Sequence, residues 1–481
     1  MGPCRRTSST GQDGHGATSG DDEEWRVRAR RCTAWGRRAR PERGSRAPAV
    51  GRAGAVTVAV ALLTGVPGLS AGQQAAAAGA PGAYAFDEGA PRVEGALSTA
   101  DAVLLEAGRT YRSTLPASGP VHYRLELDGA SNVYVAATAA PPDGGGAAVV
   151  DGVKVSVQDG DGRSCDVDTT TFGAAASPHP VAASAAREIS PRRSLCKNAG
   201  TYYVIVERAD PDGKGASPDA WELELTTVSE PRPAQAGATT APDAWDSAPP
   251  EPVTGEARRR AGGAGFAEAA SLGEGVWRDD IRPGQTLFYK VPVGWGRKFN
   301  ATAELGSSSS GGTGFVPAAL DLDLYNPVRG HVADVGIGYD GRQRSGSLSP
   351  LPHVAYANRH APRSQVAAMR FAGSYYLVAH LAEKVADDFG DGPVPLTLRV
   401  RVSGTTQDGP GYAGEPVPPD VFAVGEQDRE AVADGRDAGR AGNDSAMTAL
   451  AVGGIGTGSA LLVGLGVWTA AARRRTASPG R

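Results

Sequence analysis

The residues best suited to binding a cation are four aspartates in the first half of the chain. Asp159 and Asp161 lie on a glycine-rich stretch, and Asp166 and Asp168 follow shortly after. Closely spaced carboxylates on such a turn can supply the about six to eight oxygen ligands that Ca²⁺ takes. However, Arg163 interrupts the run, and Asp-Gly pairs also form plain hairpin turns. The sequence therefore predicts these four aspartates as candidate calcium ligands, with an ordinary turn as the alternative and no other cofactor.

Four cysteines bear on the compartment in which the chain folds. Cys4 and Cys32 precede an apolar segment with the form of an export signal, whereas Cys165 and Cys196 lie in the part that would be exported. A single cysteine pair in an exported protein commonly forms a disulfide. We therefore predict a Cys165–Cys196 disulfide that ties the ends of a long loop together, with two reduced, buried thiols as the alternative.

Histidines and aromatic residues are frequent in the second half of the chain, without a recognised catalytic spacing. The histidines favour solvated loop imidazoles over a metal or catalytic site, because such sites need convergent ligands; they are His331, His353, His360 and His380. Four aromatic residues offer a possible platform for a sugar, although a sandwich core uses the same residue types; they are Trp277, Trp295, Tyr325 and Tyr339.

Signatures of metalloproteases and nucleotide-binding enzymes are missing from the sequence. It contains neither His-Glu-x-x-His nor Gly-x-x-x-x-Gly-Lys. The net charge is −4 and the densest basic stretch is the N-terminal extension, so no basic stripe suggests nucleic-acid binding. We therefore expect a protein that is not an enzyme and does not bind nucleic acid.

Two apolar segments predict how the chain lies relative to a membrane. Residues 53–80 carry no charge, follow an arginine-rich extension and contain an apolar core of signal-peptide length. We expect cleavage near Ala71 or later in the alanine-rich run, with an uncleaved anchor as the alternative. Residues 447–472 are also uncharged and are followed at once by Arg473-Arg474-Arg475. This pattern predicts a spanning helix with a cytoplasmic basic stop.

Two parts of the chain share one sequence pattern. Gly200-Thr201-Tyr202-Tyr203 recurs as Gly373-Ser374-Tyr375-Tyr376, and Tyr123–Leu127 has a counterpart in Thr286–Val291. Each segment combines aromatic and β-branched residues or alternates apolar with polar residues, as half-buried strands do. Gly, Pro and Asp turns separate the segments, and no helical pattern lies between them. We therefore predict an all-β protein with two tandem antiparallel β-sandwich, jelly-roll-like domains.

The resulting organisation divides most of the 481-residue chain into eight segments. Acidic and Pro/Gly-rich stretches outside the repeats are predicted as linker or stalk, because they cannot bury enough apolar surface to fold. The predicted segments are a basic, disordered extension (1–52), a signal segment (53–80), the first sandwich (93–228), a Pro/Ala-rich linker (229–270), the second sandwich (271–403), an acidic disordered stalk (404–446), a transmembrane helix (447–472) and a cytoplasmic tail (473–481).

The repeated pattern resembles the bacterial pre-peptidase C-terminal domain. Its carriers are the paired strand segments and the two Gly-[Thr/Ser]-Tyr-Tyr sequences, at Gly200 and Gly373. The resemblance implies a small β-sandwich of the kind often appended to secreted hydrolases, with proposed roles in substrate binding or folding. This chain differs in that no hydrolase domain precedes the repeats and a predicted membrane anchor follows them.

These observations predict a single-pass bacterial cell-surface protein whose large domain lies outside the cell. Its expected function is non-catalytic binding or scaffolding of an extracellular or membrane protein partner, because two linked modules favour avidity over chemistry. One alternative is an accessory subunit of a secreted or membrane-bound hydrolase. Another is a carbohydrate-binding surface protein, which would require exposed, coplanar aromatic rings.

Overall fold

The structure is a computed structural model that describes residues 83–142, 148–190, 194–210, 217–242 and 244–434. Regions 1–52, 53–80, 447–472 and 473–481, predicted as extension, signal, transmembrane helix and tail, lie outside the described residues. Among the residues that are described, no helix is both long and apolar enough to cross a membrane.

The first half of the described chain forms a β-sandwich. Its strands are β1 (Val103–Leu104), β2 (Thr110–Leu115), β3 (Val121–Leu127), β4 (Asn132–Ala140), β5 (Gly152–Asp159), β6 (Ser164–Thr171), β7 (Val181–Arg187), β8 (Gly200–Arg208) and β9 (Trp221–Glu230). One sheet has the order β1-β3-β8-β5-β6, and the opposing sheet has the order β2-β9-β4-β7. Short 3₁₀ helices cover Thr99–Asp101 and Gly173–Ala175.

The second half forms another β-sandwich. Its strands are β10 (Arg258–Arg259), β11 (Ala270–Ser271), β12 (Gly275–Ile281), β13 (Thr286–Val293), β14 (Lys298–Leu305), β15 (Val316–Tyr325), β16 (His331–Tyr339), β17 (Arg344–Ser347), β18 (Gly373–Leu381) and β19 (Val394–Ser403). The sheets have the orders β11-β13-β18-β15-β16 and β10-β12-β19-β14-β17. Helices are short: α1 (Ser364–Ala368), α2 (Val385–Phe389), α3 (Glu426–Asp434) and a 3₁₀ turn at Tyr356–His360.

The two sandwiches share one topology. Strands β1 to β9 correspond in order to β11 to β19, and β10 extends the second set by a short parallel pairing with β12. Apart from such two-residue parallel pairings at the edges, the ladders are antiparallel. The prediction of an all-β protein with two tandem antiparallel sandwiches is confirmed.

Alternation of side chains builds each core. In β3, Tyr123, Leu125 and Leu127 point inward, and in β18, Tyr375 and Leu377 do the same. Successive side chains of a strand point to opposite faces, so each short apolar run supplies one wall of a core. The glycine before the second Tyr-Tyr pair is needed for space and for conformation, since Gly373 has φ +131° and an added Cβ would lie 2.3 Å from the Val421 carbonyl oxygen.

The predicted disulfide is present. Cys165 on β6 is bonded to Cys196 in the loop before β8, with a Cα–Cα distance of 5.6 Å. Both sulfurs adjoin the first core, in which Cys196 is buried. The predicted disulfide is therefore confirmed, and the alternative of two reduced thiols is wrong. The segment that the bridge closes is not the predicted loop, because it contains most of β6 and all of β7.

The segments predicted as linker and stalk differ from that expectation where they are described. Within 229–270, residues from Arg258 onward pair with the second sandwich, and Phe266 is buried. Within 404–434, Val417 forms a β-bridge with Ser229, and Phe422 is buried against both sandwiches. Composition predicted solvated chain here because the few apolar residues that anchor these segments are widely separated.

The two sandwiches pack directly against each other. Tyr134 and Val228 of the first sandwich contact Phe371 and Phe422, while Ala182 contacts an aromatic group on the outer face of β13, β15 and β18. Phe371 and Phe422 are stacked, with ring centroids 4.8 Å apart. This apolar contact makes the two repeats one continuous unit.

Candidate functional site

The four predicted calcium ligands bond with arginine and backbone groups. Asp159 Oδ2 accepts from Arg163 Nε at 2.8 Å, and Asp161 Oδ2 accepts from Arg163 Nη2 at 2.7 Å. These bonds, with two backbone N–H groups on the Asp159 carboxylate, lower the pKa of Asp159 although partial burial alone would raise it. Asp166 and Asp168 accept from backbone N–H groups of β7 at 3.0 Å.

The aspartates therefore serve two separate local structures. Arg163 is the cation beside Asp159 and Asp161. Asp166 and Asp168 accept hydrogen bonds from the edge strand β7, whose backbone N–H groups need a partner. Across the described ranges, no group of three or more His, Cys, Asp or Glu side chains is arranged to hold a metal ion. Calcium binding stays a prediction from the sequence.

Two of the histidines considered in the sequence, His331 and His380, lie at the contact between the sandwiches. His331 Nε2 lies 3.2 Å from Asp323 Oδ1. Burial alone would lower the pKa of His331, but the hydrogen bond and the charges of Asp323 and Asp334 raise it. Burial, followed by those two carboxylates, raises the pKa of the neighbouring Asp321 to about 7. His353 lies in a loop, and His360 Nε2 contacts the Ala238 carbonyl oxygen at 3.0 Å.

His380 forms a buried polar contact that the sequence did not predict. Its Nδ1 lies 3.0 Å from Thr286 Oγ1, and its Nε2 lies 2.9 Å from Ser177 Oγ of the first sandwich. The ring stacks on His179 at 4.3 Å. Burial, together with the second imidazole, holds the pKa of His380 well below its usual value. A serine and histidine in contact suggest nucleophilic chemistry, but both are buried away from any substrate.

The four aromatic residues considered as a sugar platform do not form one. Trp277, Tyr325 and Tyr339 are buried, and Trp295 packs partly buried against the second core. Trp277 Nε1 donates to the Gly273 carbonyl oxygen at 2.9 Å, as a buried indole requires. Because these rings pack in or against the core, they do not support the hypothesis of an aromatic platform for a sugar.

Buried ion pairs lock the two sandwiches together. Glu224 and Glu230 project from β9, away from the core of their own sandwich. Glu224 accepts from Arg329 and from Tyr84, and Glu230 accepts from Arg359 Nη2 at 2.6 Å. The alternation of apolar and polar residues in Trp221–Leu225 places Glu224 on the face opposite the core. It gave no sign that the second sandwich covers that face.

A groove lies on the outer face of the second sandwich. Its floor is formed by β14, β17 and β19, and its other side by the segment Pro249–Val253. The cavity volume is about 500 Å³. The side chains on its floor are polar: Asn300, Thr302, Glu304, Ser347, Arg399 and Arg401. We refer to this feature as the groove.

Some polar side chains of the groove are hydrogen-bonded within the protein, and others have atoms without a partner. Arg399 Nη1 donates to the Val253 carbonyl oxygen at 3.0 Å, and Arg399 Nη2 pairs with Glu304 at 3.4 Å. In contrast, Asn300 Oδ1 and Arg401 Nε are buried without a hydrogen-bond partner among the described residues. Asn300 is only 6% exposed. Unsatisfied buried polar atoms cost about 1–3 kcal/mol each, so the floor of the groove contains an acceptor and a donor whose hydrogen bonds the described residues do not supply.

Comparison with known proteins gives no family for this chain. No family model matches it. No curated protein matches it either.

Solved structures with some similarity include tandem modules. The CBM22-1–CBM22-2 tandem domain from Paenibacillus barcinonensis Xyn10C is 9% identical, with 63% of this chain and 88% of that chain covered and a TM-score of 0.17. Tandem CBM51 modules of the family 98 glycoside hydrolase from Streptococcus pneumoniae are 7% identical, with 62% and 84% covered and a TM-score of 0.16. The CUB1-EGF-CUB2 domain of human MASP-1/3 is 8% identical, with 61% and 99% covered and a TM-score of 0.15. At these TM-scores the comparisons carry no argument about what the chain binds.

Proposed function

We propose that this chain is a non-catalytic binding or scaffolding protein of the cell surface. In this proposal, residues 447–472 span the membrane once, the two sandwiches lie outside the cell, and a short basic tail lies inside. The uncharged segment followed by Arg473-Arg474-Arg475 supports this orientation. The partner is an extracellular or membrane protein.

The observation that carries the proposal is the groove. It is a concave, partly polar surface whose lining residues Asn300 and Arg401 each have a buried polar atom without a partner in the described part of the chain. Because the ion pairs and aromatic contacts between the sandwiches hold them as one unit, the groove has a fixed place on a rigid support. Rigid support lowers the entropic cost of binding.

The placement of titratable groups also favours binding over chemistry. Asp321 and His380, whose pKa values are strongly shifted, do not line the groove, and His380 instead contacts Ser177 of the first sandwich. A catalytic acid or base needs access to its substrate. Their burial instead explains a structural role.

An accessory role beside a hydrolase is the second candidate. The two Gly-[Thr/Ser]-Tyr-Tyr sequences, at Gly200 and Gly373, support it through the resemblance to the pre-peptidase C-terminal domain. In that case the partner captured by the groove is itself the enzyme. The same experiment identifies it.

Affinity capture of the intact chain from solubilised membranes tests the proposal. We expect a stoichiometric partner, captured by the wild-type chain and lost with Ser347→Trp, which fills the groove from an exposed edge-strand position. Thr114→Trp is the matched control, because Thr114 is exposed on the corresponding sheet of the first sandwich. Recovery of no partner by the wild-type chain would overturn the proposal. A hydrolase among the captured proteins would favour the accessory role.

A further inference from the structure

We propose that the groove is the docking site for an extended segment of a partner protein that carries a carboxylate side chain opposite Arg401. This inference rests on the proposed function and specifies the chemistry of the partner. It follows from three observations: the duplication of the sheet face, the segment already bound there, and the two unpartnered atoms.

The duplication shows that the groove corresponds to a face already used for docking in the first sandwich. Val133 and Phe299 are the first inward residues of β4 and β14. With these aligned, the cross-strand pair Tyr134–Val228 corresponds to the pair Asn300–Arg401. The same outward positions therefore carry apolar side chains in one repeat and polar side chains in the other.

In the first sandwich the part of this face around Tyr134 and Val228 is covered. Tyr134 packs edge-on against Phe371, with ring centroids 5.1 Å apart, and Val228 joins the same cluster. The chain around Val417 pairs with Ser229 of β9 beyond the end of β2, and Phe422 of the same segment packs in the cluster. This segment and the second sandwich thus together bury the part of the face around Tyr134 and Val228.

In the second sandwich the equivalent face is covered in part. Pro249–Val253 lies across it without regular secondary structure, and its Val253 carbonyl oxygen accepts a hydrogen bond from Arg399. This contact shows that an arginine of β19 binds a backbone carbonyl of a chain segment on this face. Arg401 lies two residues further along the same strand and face, and it has no ion pair with any described residue.

The two unpartnered atoms define what an additional segment must offer. Asn300 Oδ1 accepts a hydrogen bond and so suits a backbone N–H, while Arg401 donates to an oxygen. An arginine without an ion pair binds a carboxylate more strongly than a neutral oxygen, because charge-assisted hydrogen bonds are stronger. Glu304 already pairs with Arg399, and Glu251 is exposed on the covering segment.

A peptide explains the groove better than a saccharide. The residues that line it are Pro, Ser, Thr, Asn, Glu, Arg and small apolar types, and none of them carries an aromatic ring. Aromatic rings are the usual apolar contact for sugar faces, whereas proline rings and an arginine row suit an extended chain. The occupant already present is itself a peptide.

The test uses the intact chain in detergent and a displayed library of random dodecapeptides as the probe. We expect the wild-type chain to select peptides enriched in Asp or Glu, and a selected peptide to bind at least tenfold more weakly to Arg401→Gln by fluorescence polarisation. Arg278→Gln is the matched control, because Arg278 is an exposed arginine of the same sheet outside the groove lining. Asn300→Ala should also weaken binding. Unchanged thermal unfolding of each variant shows that the fold is intact.

The inference fails if no peptide is enriched, if acidic enrichment persists on Arg401→Gln, or if acidic oligosaccharides bind while peptides do not. Its failure is separable from that of the proposed function. If the wild-type and Arg401→Gln chains capture a membrane partner equally, the binding role stands, but the proposed contact between Arg401 and a carboxylate of the partner is contradicted. Absence of any captured partner removes the binding role itself.

Discussion

At the scale of single residues, the buried ion pairs between the sandwiches have the largest expected effects. Glu224 is fully buried, and its partner Arg329 is 9% exposed. We expect Glu224→Ala to lower the free energy of unfolding by about 3–5 kcal/mol, because it leaves a buried guanidinium without its counter-charge. Denaturant titration of the intact chain measures this loss.

The matched control is the neighbouring glutamate of the same strand. Glu222 is 47% exposed and pairs with Arg92 and Arg112 at the surface. Exposed pairs contribute about 0–1 kcal/mol, so Glu222→Ala should change the free energy of unfolding by no more than that. Equal effects of the two substitutions would contradict a structural role for the buried pair.

Asp321 should make stability depend on pH. Its pKa of about 7 in the folded state lies above its ordinary value of 3.8, because of burial and the charges of Asp323 and Asp334, with His331 acting in the opposite direction. Its favourable contribution is complete below pH 4 and is lost as the pH rises to about 7. We expect Asp321→Asn to be more stable than the wild type at pH 8 by up to about 4 kcal/mol.

Thermal and denaturant unfolding at pH 4 and pH 8 checks this prediction. The advantage of Asp321→Asn should vanish at the lower pH, whereas exposed Asp391→Asn controls for the loss of one acidic residue. Buried His380 and His179 act in the opposite direction, because their lowered pKa values cost stability as the pH falls below about 6.5. Their contribution is common to both proteins and cancels in the comparison. A pH-independent difference would be inconsistent with ionisation of Asp321.

The sequence predicted side-chain contacts within one domain but not those between the two domains. Local features such as the Cys165–Cys196 pair depend on neighbours within one domain, and that prediction was confirmed. The partners of Glu224 and His380 come from the other repeat, more than 100 residues away. A sequence pattern reports which face a residue takes, but not what covers that face.

At the scale of elements, the disulfide fixes β6 against the loop before β8. The bonded cysteines are separated by 31 positions. By the loop-closure argument, Cys165→Ser with Cys196→Ser should lower the free energy of unfolding by about 3–4 kcal/mol. Non-reducing denaturant titrations measure the difference, with exposed Ser164→Ala of the same strand as control. Equal stability of the wild type with and without reductant would contradict this prediction.

The segment after the second sandwich should also be structural. Phe422 is 3% exposed and stacks on Phe371, so Phe422→Ala should cost about 3–5 kcal/mol. Phe315 is 61% exposed and provides a matched control in which Phe315→Ala should have little effect. If both substitutions are neutral in thermal unfolding, residues 404–434 behave as the stalk that their composition predicts.

Strands were easier to predict than the segments between them. Alternation over a few residues, as in Tyr123–Leu127, is a complete local description of a half-buried strand. The chain around Val417 and Phe422 has no period, because isolated apolar residues anchor it and the intervening residues remain exposed. Its fold depends on a surface built by distant strands, and composition alone does not report such a surface.

At the scale of the whole molecule, duplication followed by divergence accounts for both the rigid contact and the groove. One sheet face became apolar and acidic, with Tyr134, Val228 and Glu230, and it buries itself against the second sandwich. The equivalent face of the second sandwich retained Asn300 and Arg401 and stayed partly open. The two faces together explain how one fold can both assemble internally and present a binding surface.

This arrangement predicts that the two sandwiches unfold together. A contact with buried ion pairs couples its two sides, because neither can open without exposing apolar surface and separating charges. We expect one calorimetric transition for the wild-type chain and two for Glu224→Ala combined with Glu230→Ala. Limited proteolysis should then cut the double variant, but not the wild type, near the proline-rich stretch at 231–253. Two transitions in the wild type would mean that the contact is too weak to couple the repeats, and the groove would then rest on the second sandwich alone.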